Sequence, residues 1–241
     1  MILKNITLPL VLAFSFFAFA ANAIEVKKEK TKDQSVSTFD FRDFNSLNIN
    51  HAITVNLVQA DEYKIEIEHD EKLKERLQVT LNGKELILDL QNGYRYKNVN
   101  IVATIHMPNI SRLNLSGAST LLMSSINCEE LEIVLAGASD IKGEVKTDRL
   151  KLKGSGASTA QLSGTAIKLD GSFSGASDLE AKNLVVSEKI DLRASGASDV
   201  SVTNNGEMTV SLSGASGCTY YGSGIIKSES ITGASSIRKG K

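Results

Sequence analysis

Apolar and polar residues alternate along most of the chain, and in the C-terminal half this alternation recurs around the tripeptide Gly-Ala-Ser. Apolar residues stand mainly two, four and six positions before its glycine and four positions after it. The second copy shows the pattern in Leu131, Ile133, Leu135, Gly137 and Ile141. Alternation with a period of two is typical of a strand with one buried face. The pattern therefore predicts a strand on each side of the tripeptide.

The tripeptide occurs seven times, at intervals of 18 to 21 residues. The copies begin at Gly117, Gly137, Gly156, Gly175, Gly196, Gly214 and Gly233. A period of about 19 residues is too short for paired-helix repeats and leaves a stacked β-solenoid or a leucine-rich repeat. The leucine-rich consensus is absent. We therefore predict an all-β parallel β-helix over residues 111–241, in which each strand pairs with its counterparts in neighbouring coils, about 4.8 Å away.

Each residue of the tripeptide has an expected structural role. A glycine at one fixed register indicates a corner that needs a positive φ, or a point where a side chain would meet the next coil. The alanine is expected at a cramped inner position of that corner. The serines are expected to stack and to satisfy hydroxyl and backbone groups along the axis.

The first 35 residues do not show this alternation. Lys4 precedes an apolar run over residues 8–21, and Ala21-Asn22-Ala23 has the form of a cleavage site, so residues 1–23 are predicted to be a signal peptide. The mature protein is expected to begin at Ile24 and to be exported to the periplasm, the cell surface or the medium. Residues 24–35 are charged and aperiodic, as in a flexible linker. No later stretch reaches the roughly 18 apolar residues of a membrane-spanning helix.

Residues 36–110 alternate clearly but without a fixed period. Six runs, among them Leu47/Ile49 and Leu86/Leu88/Leu90, are predicted to be strands, and Asn82-Gly83 is a strong turn signal. A turn or two of helix is expected only within residues 70–77. The block is either a set of irregular first coils or a small β-domain that caps the solenoid, and the pattern favours neither.

Two features of the predicted stack concern its cysteines and its last residues. Cys128 and Cys218 lie four to five coils apart, roughly 20 Å, so both are expected to be free and buried. The chain closes with three cations, Arg238, Lys239 and Lys241. Because the last coil of a solenoid exposes a strand edge, we expect these charges to oppose end-to-end stacking.

Charge and motifs exclude several classes of function. Loss of the leader removes Lys4 and no acidic residue, so the formal net charge of −1 becomes −2, which does not favour nucleic-acid binding. The chain carries no Gly-x-Ser-x-Gly elbow, no phosphate-binding loop and no dinucleotide fingerprint outside the repeat. His51, His69 and His106 are far apart in the sequence and are interpreted as structural. No cofactor and no metal site is predicted.

Candidate binding residues come from one position of the repeat. Three residues after the repeat glycine stand Asp140, Asp178 and Asp199, alternating with Thr, Gly and Ser in other copies. In register, Asp178 and Asp199 would be about 5 Å apart and Asp140 about 10 Å from Asp178. Such a column could hold Ca²⁺ or resemble a glycosidase pair. The simpler interpretation is a solvated, turn-favouring column.

A second candidate is Tyr94-Arg95-Tyr96, directly after Asn92-Gly93. Two tyrosines in a loop could contact a glycan or a peptide through their rings. The alternative is a pair of ordinary loop tyrosines. Tyr220-Tyr221, near the last coil, is interpreted as an end cap.

Several stretches resemble one family of exported bacterial proteins, the putative auto-transporter adhesins with the head GIN domain. They are 41–47 (FRDFNSL), 52–55 (AITV), 57–63 (LVQADEY), 107–109 (MPN) and the Leu-Ser-Gly-Ala-Ser repeats. The resemblance extends from about Phe39 to the C-terminus, with Ala52-Ile53-Thr54 where the family has a Gly-Ile-Asn-like site. It implies a right-handed β-helix and an adhesin label, without a known activity.

The leading hypothesis is a non-enzymatic, adhesin-like module that binds a carbohydrate or a cell-surface protein through Asp140, Asp178, Asp199, Tyr94 and Tyr96. The alternative is a polysaccharide-active lyase or hydrolase, since β-helices also host such enzymes. Those enzymes need a cleft with clustered acids and bases, whereas the coils here are short and uniform. A weaker third hypothesis is an ice-binding face, because Ser or Thr precedes most repeat glycines.

Overall fold

The computed structural model of the protein describes residues 34–241, most of which lie in seventeen strands. They are β1 Gln34–Phe39, β2 Ser46–Ile49, β3 Thr54–Gln59, β4 Lys64–Asp70, β5 Leu77–Asn82, β6 Glu85–Leu90, β7 Ile101–Met107, β8 Arg112–Leu115, β9 Thr120–Leu135, β10 Asp140–Gly154, β11 Thr159–Phe173, β12 Asp178–Ala194, β13 Asp199–Asn204, β14 Glu207–Leu212, β15 Gly217–Tyr221, β16 Ile225–Ile231 and β17 Ser236–Lys239. The only helix in this part of the chain is a 3₁₀ turn at Glu71–Leu73. The predicted signal peptide and most of the predicted linker lie outside the described residues, and Gln34 and Ser35 belong to β1.

From β8 onward the chain winds into a β-solenoid whose coils are in register. β10 pairs in parallel with β9 on one side and with β11 on the other. Equivalent repeat positions face each other, so that Leu121, Ile141, Ala160 and Leu179 form one buried column. The predicted β-helix, with one coil per Gly-Ala-Ser repeat, is confirmed.

Each full coil has three straight segments, which build three faces of the solenoid. In β12 these segments are residues 178–181, 184–186 and 189–194, separated by shifts in pairing register. We call them the first, second and third faces, in chain order after Gly-Ala-Ser. Along each segment the alternation points every second side chain inward. These inward side chains are mostly apolar, and stacked from coil to coil they form the continuous core.

The one phenylalanine in the core of the repeats, Phe173, explains two gaps in the apolar pattern. A Cβ on Gly154 would lie 2.8 Å from Cδ1 of this ring, and one on Gly171 would lie 3.1 Å from its Cε2. These two inward positions carry apolar side chains in the coils of β9 and β14. The glycines therefore provide the volume that the aromatic ring occupies.

The corner glycine is required for two reasons. All seven copies have φ between 73° and 84°, and a Cβ on each of the last six would lie at most 2.6 Å from the carbonyl oxygen of the glycine one coil earlier. The same oxygen accepts the N–H of the alanine in the next coil at 2.7 Å. A positive φ and a close approach between coils, the two predicted causes, therefore act together.

The serine points inward at this corner, and the predicted inner position of the alanine is wrong. Ser139 is 0% exposed, whereas Ala138 is exposed. The reason is the strand alternation, because Ser139 lies two residues before the inward Ile141. Its hydroxyl donates to the carbonyl of Ala136 at 2.9 Å, so it is satisfied mainly within its own corner. Ser177, Ser198 and Ser216 make the same bond.

Residues 36–110 form two further coils and an antiparallel layer. β2 and β3 pair in parallel with β8 and β9 on one side and with β6 and β7 on the other. β5 and β4 add to β6 and β7 as antiparallel strands, and β1 adds to β4. Asn82-Gly83 makes the predicted turn, between β5 and β6. The spatial order differs from the chain order, because β2–β3 lies between β6–β7 and the repeats.

The two cysteines are free and far apart. Cys128 lies in β9 and Cys218 in β15, five coils further on, or about 24 Å at 4.8 Å per coil. Cys218 is buried, as predicted, but Cys128 is only half-buried. Burial raises the pKa of Cys218 to about 12, and it also raises the pKa of Cys128.

Thiol counting tests this arrangement. Unfolding without a reductant should expose two reactive thiols, because no disulfide can bridge five coils. In the folded protein at pH 8, iodoacetamide should modify Cys128 well before Cys218, since both burial and a low thiolate fraction protect Cys218. The check is mass spectrometry of the labelled peptides. A count of zero thiols in the unfolded protein would contradict the stack.

Within residues 34–241 there is no helix long and apolar enough to cross a membrane. This finding concerns helices only.

Candidate functional site

The three predicted aspartates share one column on the first face. Asp140 faces Thr159 in the next coil, and Thr159 faces Asp178. Asp199 follows in the coil after that, since its neighbour Val200 pairs with Leu179. Asp178 and Asp199 are therefore adjacent, about 4.8 Å apart along the axis, and one coil separates Asp140 from them.

The two carboxylates are placed by the neighbouring coils. Oδ1 of Asp178 accepts the backbone N–H of Asp199 at 3.2 Å. The carboxylate of Asp199 lies over Gly217, in space that any side chain at that position would occupy. Among the residues that the structure describes, neither carboxylate has a cationic partner. Both therefore keep free acceptor capacity toward a ligand.

A groove runs along the first face beside this pair. It consists of two adjoining cavities of about 510 Å³ and 520 Å³, which share Glu180, Ser201 and Tyr221. Asp178 and Asp199 line the first cavity. Asp140 lines neither of them, so the structure separates it from the two other predicted residues.

Several side chains that were not among the predicted binding residues define the groove. Nζ of Lys182 lies 4.4 Å from the ring centroid of Tyr221, a cation–π contact that spans two coils. Nε of Arg238 donates to the hydroxyl of Thr219 at 3.0 Å. The repeat could have indicated that Lys182 and Tyr221 share a column, because both stand seven residues after a repeat glycine. Tyr221 is thus part of a lateral surface, whereas Tyr220 packs against the core close to the last coil.

The groove has the chemistry of a polar binding surface. Carboxylates, hydroxyls and the amide of Gln161, which donates to Glu180 at 2.9 Å, point into an open channel with an aromatic ring at its side. Burial in an apolar enclosure is one way to raise the pKa of a carboxyl group for general acid catalysis. Asp199 is exposed and Asp178 is only half-buried. No group of three or more His, Cys, Asp or Glu side chains in residues 34–241 is placed to hold a metal ion.

The two predicted loop tyrosines belong to a different part of the solenoid. They lie in the connection between β6 and β7, where the ring centroids of Tyr94 and Tyr96 are 6.3 Å apart. Tyr96 packs edge-on against His51 at 5.9 Å. His51 is stacked directly beneath Gly117, four coils before Gly175, so the tyrosines and Asp178 do not form one site.

The third face carries a charge ladder. Glu132 pairs with Lys153 at 3.0 Å and with Arg112 at 3.5 Å, and the hydrogen bond from Lys153 is the main cause of its lowered pKa. Arg149 pairs with Glu130 across neighbouring coils. A cavity of about 630 Å³ lies along this face. Its charged side chains are largely paired with each other, and exposed pairs of this kind contribute little to stability.

The fold and the lateral groove define the class of the protein: a β-solenoid whose regular surface is suited to binding. The chain matches the family described as "putative auto-transporter adhesin, head GIN domain" over residues 43–224. It belongs to that family. A search of the curated proteins found no significant match.

Solved structures share this fold at low sequence identity. A putative adhesin from Bacteroides fragilis has a TM-score of 0.79 and 16% identity, over 87% of this chain and 98% of that chain. A putative lipid binding protein from Parabacteroides distasonis has a TM-score of 0.66 and 15% identity, over 87% and 98%. A putative adhesin from Parabacteroides merdae has a TM-score of 0.64 and 16% identity, over 87% and 97%. At these identities the similarity concerns the fold.

Proposed function

We propose that the protein is an exported, non-enzymatic, adhesin-like module whose first-face groove binds a polymeric glycan. The observation that carries the proposal is the stacked pair Asp178 and Asp199, which lines the groove and has no cationic partner among residues 34–241. Carboxylates accept hydrogen bonds from sugar hydroxyls, and Tyr221 offers an aromatic surface beside them. The adhesin description of the family supports binding as the general role.

The solenoid favours weak contacts at many points. Its side chains recur about every 4.8 Å along the axis, so a chain-like ligand can meet an equivalent row of groups in successive coils. Many weak contacts on one polymer add through effective concentration. We therefore expect affinity to rise with ligand length. Because acidic side chains line the part of the groove near Asp178, a neutral glycan fits it better than an anionic one.

Replacement of both Asp178 and Asp199 by asparagine should lower the affinity for a neutral oligosaccharide by about tenfold or more, because hydrogen bonds to charged groups contribute about 1.5 to 3 kcal/mol each. The fold should remain intact, since the side-chain amide introduced by Asp178→Asn still offers an oxygen to the backbone N–H of residue 199. A glycan array identifies the oligosaccharide, and calorimetry with that oligosaccharide measures the change.

Asp140→Asn is the matched control, because Asp140 occupies the same column outside the groove. It should leave binding unchanged. Equal binding by the parent and the double variant would contradict the assignment of the groove. Release of reducing ends from a polysaccharide by the parent, but not by the double variant, would instead support the polysaccharide-active enzyme.

A further inference from the structure

The connection between β6 and β7, residues 91–100, is longer than the four-residue corners of the repeats and has its own charge. It contains Arg95 and Lys97, and no acidic residue occurs anywhere from Leu90 to Cys128. Arg76 approaches the loop, with its Cζ 4.0 Å from the ring centroid of Tyr94. In the described part of the chain none of these three cations has an acidic partner, in contrast to the paired charges of the third face. The loop itself, residues 91–100, thus carries two cations and no acidic residue.

Beneath this loop, a histidine stands where the repeats have glycine. A Cβ on Gly117 would lie 2.9 Å from the backbone N and O of His51, and the N–H of Ala118 donates to its carbonyl at 2.9 Å, so His51 begins the glycine column. Its φ is 61°. A left-handed conformation costs a residue with a Cβ about 1 to 2 kcal/mol. Glycine would avoid this cost, and strained residues of this kind concentrate at functional sites.

The side chain of His51 is held in a defined orientation. Its Nδ1 lies 2.5 Å from Oδ1 of Asp89, and that oxygen also accepts the N–H of Leu90 at 2.7 Å. Asn50 donates to the other carboxylate oxygen at 3.2 Å. Because an ionised Asp89 can only accept a hydrogen bond, Nδ1 of His51 carries the proton. The other ring nitrogen, Nε2, has no hydrogen-bond partner among residues 34–241. The side chain of His51 is 32% exposed.

The aromatic residues of the loop are also pre-arranged. The hydroxyl of Tyr96 donates to the carbonyl of Gln91 at 2.6 Å, and its ring packs against His51. Tyr94 is 48% exposed although Arg76 stacks on it. Ordering of a loop before binding lowers the entropic cost of association. Tyr96 therefore contacts both the exposed ring of Tyr94 and the ring of His51, in a loop that also carries Arg95 and Lys97.

We propose that this loop is a second binding site, specific for an acidic sugar unit. The sugar ring packs on Tyr94, one of its hydroxyls donates to His51 Nε2, and its carboxylate is bound by Arg95 and Lys97. Stacking on tyrosine and charge-assisted hydrogen bonds are complementary to the two parts of such a ligand. The site lies four coils from the Asp178 pair and does not depend on the proposed groove.

The test compares an oligogalacturonate with a neutral galactan oligomer of the same length, by NMR titration of the ¹⁵N-labelled protein. The acidic oligomer should shift the imidazole ¹⁵N resonances of His51 and the amides of residues 91–100. The neutral oligomer should not shift them. Inorganic phosphate is the third probe: a response as strong as that to the acidic oligomer would show a site for anions in general and overturn the sugar specificity.

Two substitutions separate ligand contact from loop support. His51→Asn tolerates the left-handed backbone and can still donate to Asp89, but it lacks Nε2. Affinity for the acidic oligomer should fall about tenfold, while the loop of the free protein stays folded, with amide shifts that change only through loss of the imidazole ring next to Tyr96. Tyr94→Ala should weaken binding to a similar extent. Asp140→Asn, which removes a carboxylate outside both sites, is the control and should have no effect. Unchanged affinity in both His51→Asn and Tyr94→Ala would overturn the proposal.

Discussion

Gly175→Ala should destabilise the solenoid by about 2 to 5 kcal/mol. The alanine would have to adopt a φ of 81°, which costs about 1 to 2 kcal/mol. Its Cβ would also lie 2.5 Å from the carbonyl oxygen of Gly156. That oxygen is fixed by the hydrogen bond from Ala176, so the coils must move apart, and overpacking of this kind costs typically about 1 to 3 kcal/mol. Chemical denaturation followed by circular dichroism measures the change.

Gly83→Ala separates the two contributions. Gly83 has a φ of 60°, but a Cβ there would meet no atom within 4 Å. This variant should lose only the conformational part, about 1 to 2 kcal/mol. Similar losses in the two variants would show that contact between coils at the Gly-Ala-Ser corner contributes nothing, against the structural explanation of the repeat.

The repeats could be predicted well from the sequence because each strand pairs with the strand one repeat away. A strand in one coil pairs with the residue about 19 positions away, so the alternation and the spacing together give both the strands and their register. The inward serine could also have been predicted from Ser139, which continues the alternation of Ile141. The alanine was placed inside on size alone, whereas the side-chain direction follows from the strand.

The order of the N-terminal strands could not be predicted, because it depends on pairing between segments of irregular separation. Val55 lies between Leu121 and Ala103 in the sheet, at sequence distances of 66 and 48 residues. One signal was available. Leu47, Ile49, His51 and Ala52 repeat the spacing of Leu113, Leu115, Gly117 and Ala118, which is a further copy of the corner with histidine in place of glycine. The contact between His51 and Asp89 could not be predicted from the sequence, because Asp89 comes from another coil.

For the candidate groove, too, one part could be predicted from the sequence and another part could not. The aspartate column follows from the period, and its place in the stack agrees with the predicted spacing. The cavities do not follow from it, because they depend on the small residue at Gly217 and on how Tyr221 and Lys182 meet across two coils. Such contacts depend on side-chain conformations, which the period alone does not give.

Removal of the charges from the last coil should convert the protein into end-to-end oligomers or filaments. β16 and β17 each pair with one strand only among the described residues, and Ile225 and Ile231 are 62% and 37% exposed. Glu229 occupies an inward position that is Val210 in the preceding coil. Inward charges and bulges are devices that protect strand edges, and β16 contains such a register shift beside Lys227. The last coil therefore carries an inward charge and an irregular edge in addition to the cations.

The test is a triple variant with Glu229→Val, Arg238→Thr and Lys239→Val. With an apolar inward position and two fewer cations at the edge, the last coil can accept a strand of a second molecule by main-chain pairing. Light scattering and electron microscopy should show oligomers whose size grows with protein concentration. Glu144→Val, Lys142→Thr and Lys146→Val together form the control, since they make the same changes at exposed positions inside the stack, where both strand edges are paired. A triple variant that remains monomeric, or a control that assembles equally well, would show that the charges of the last coil do not protect its edge.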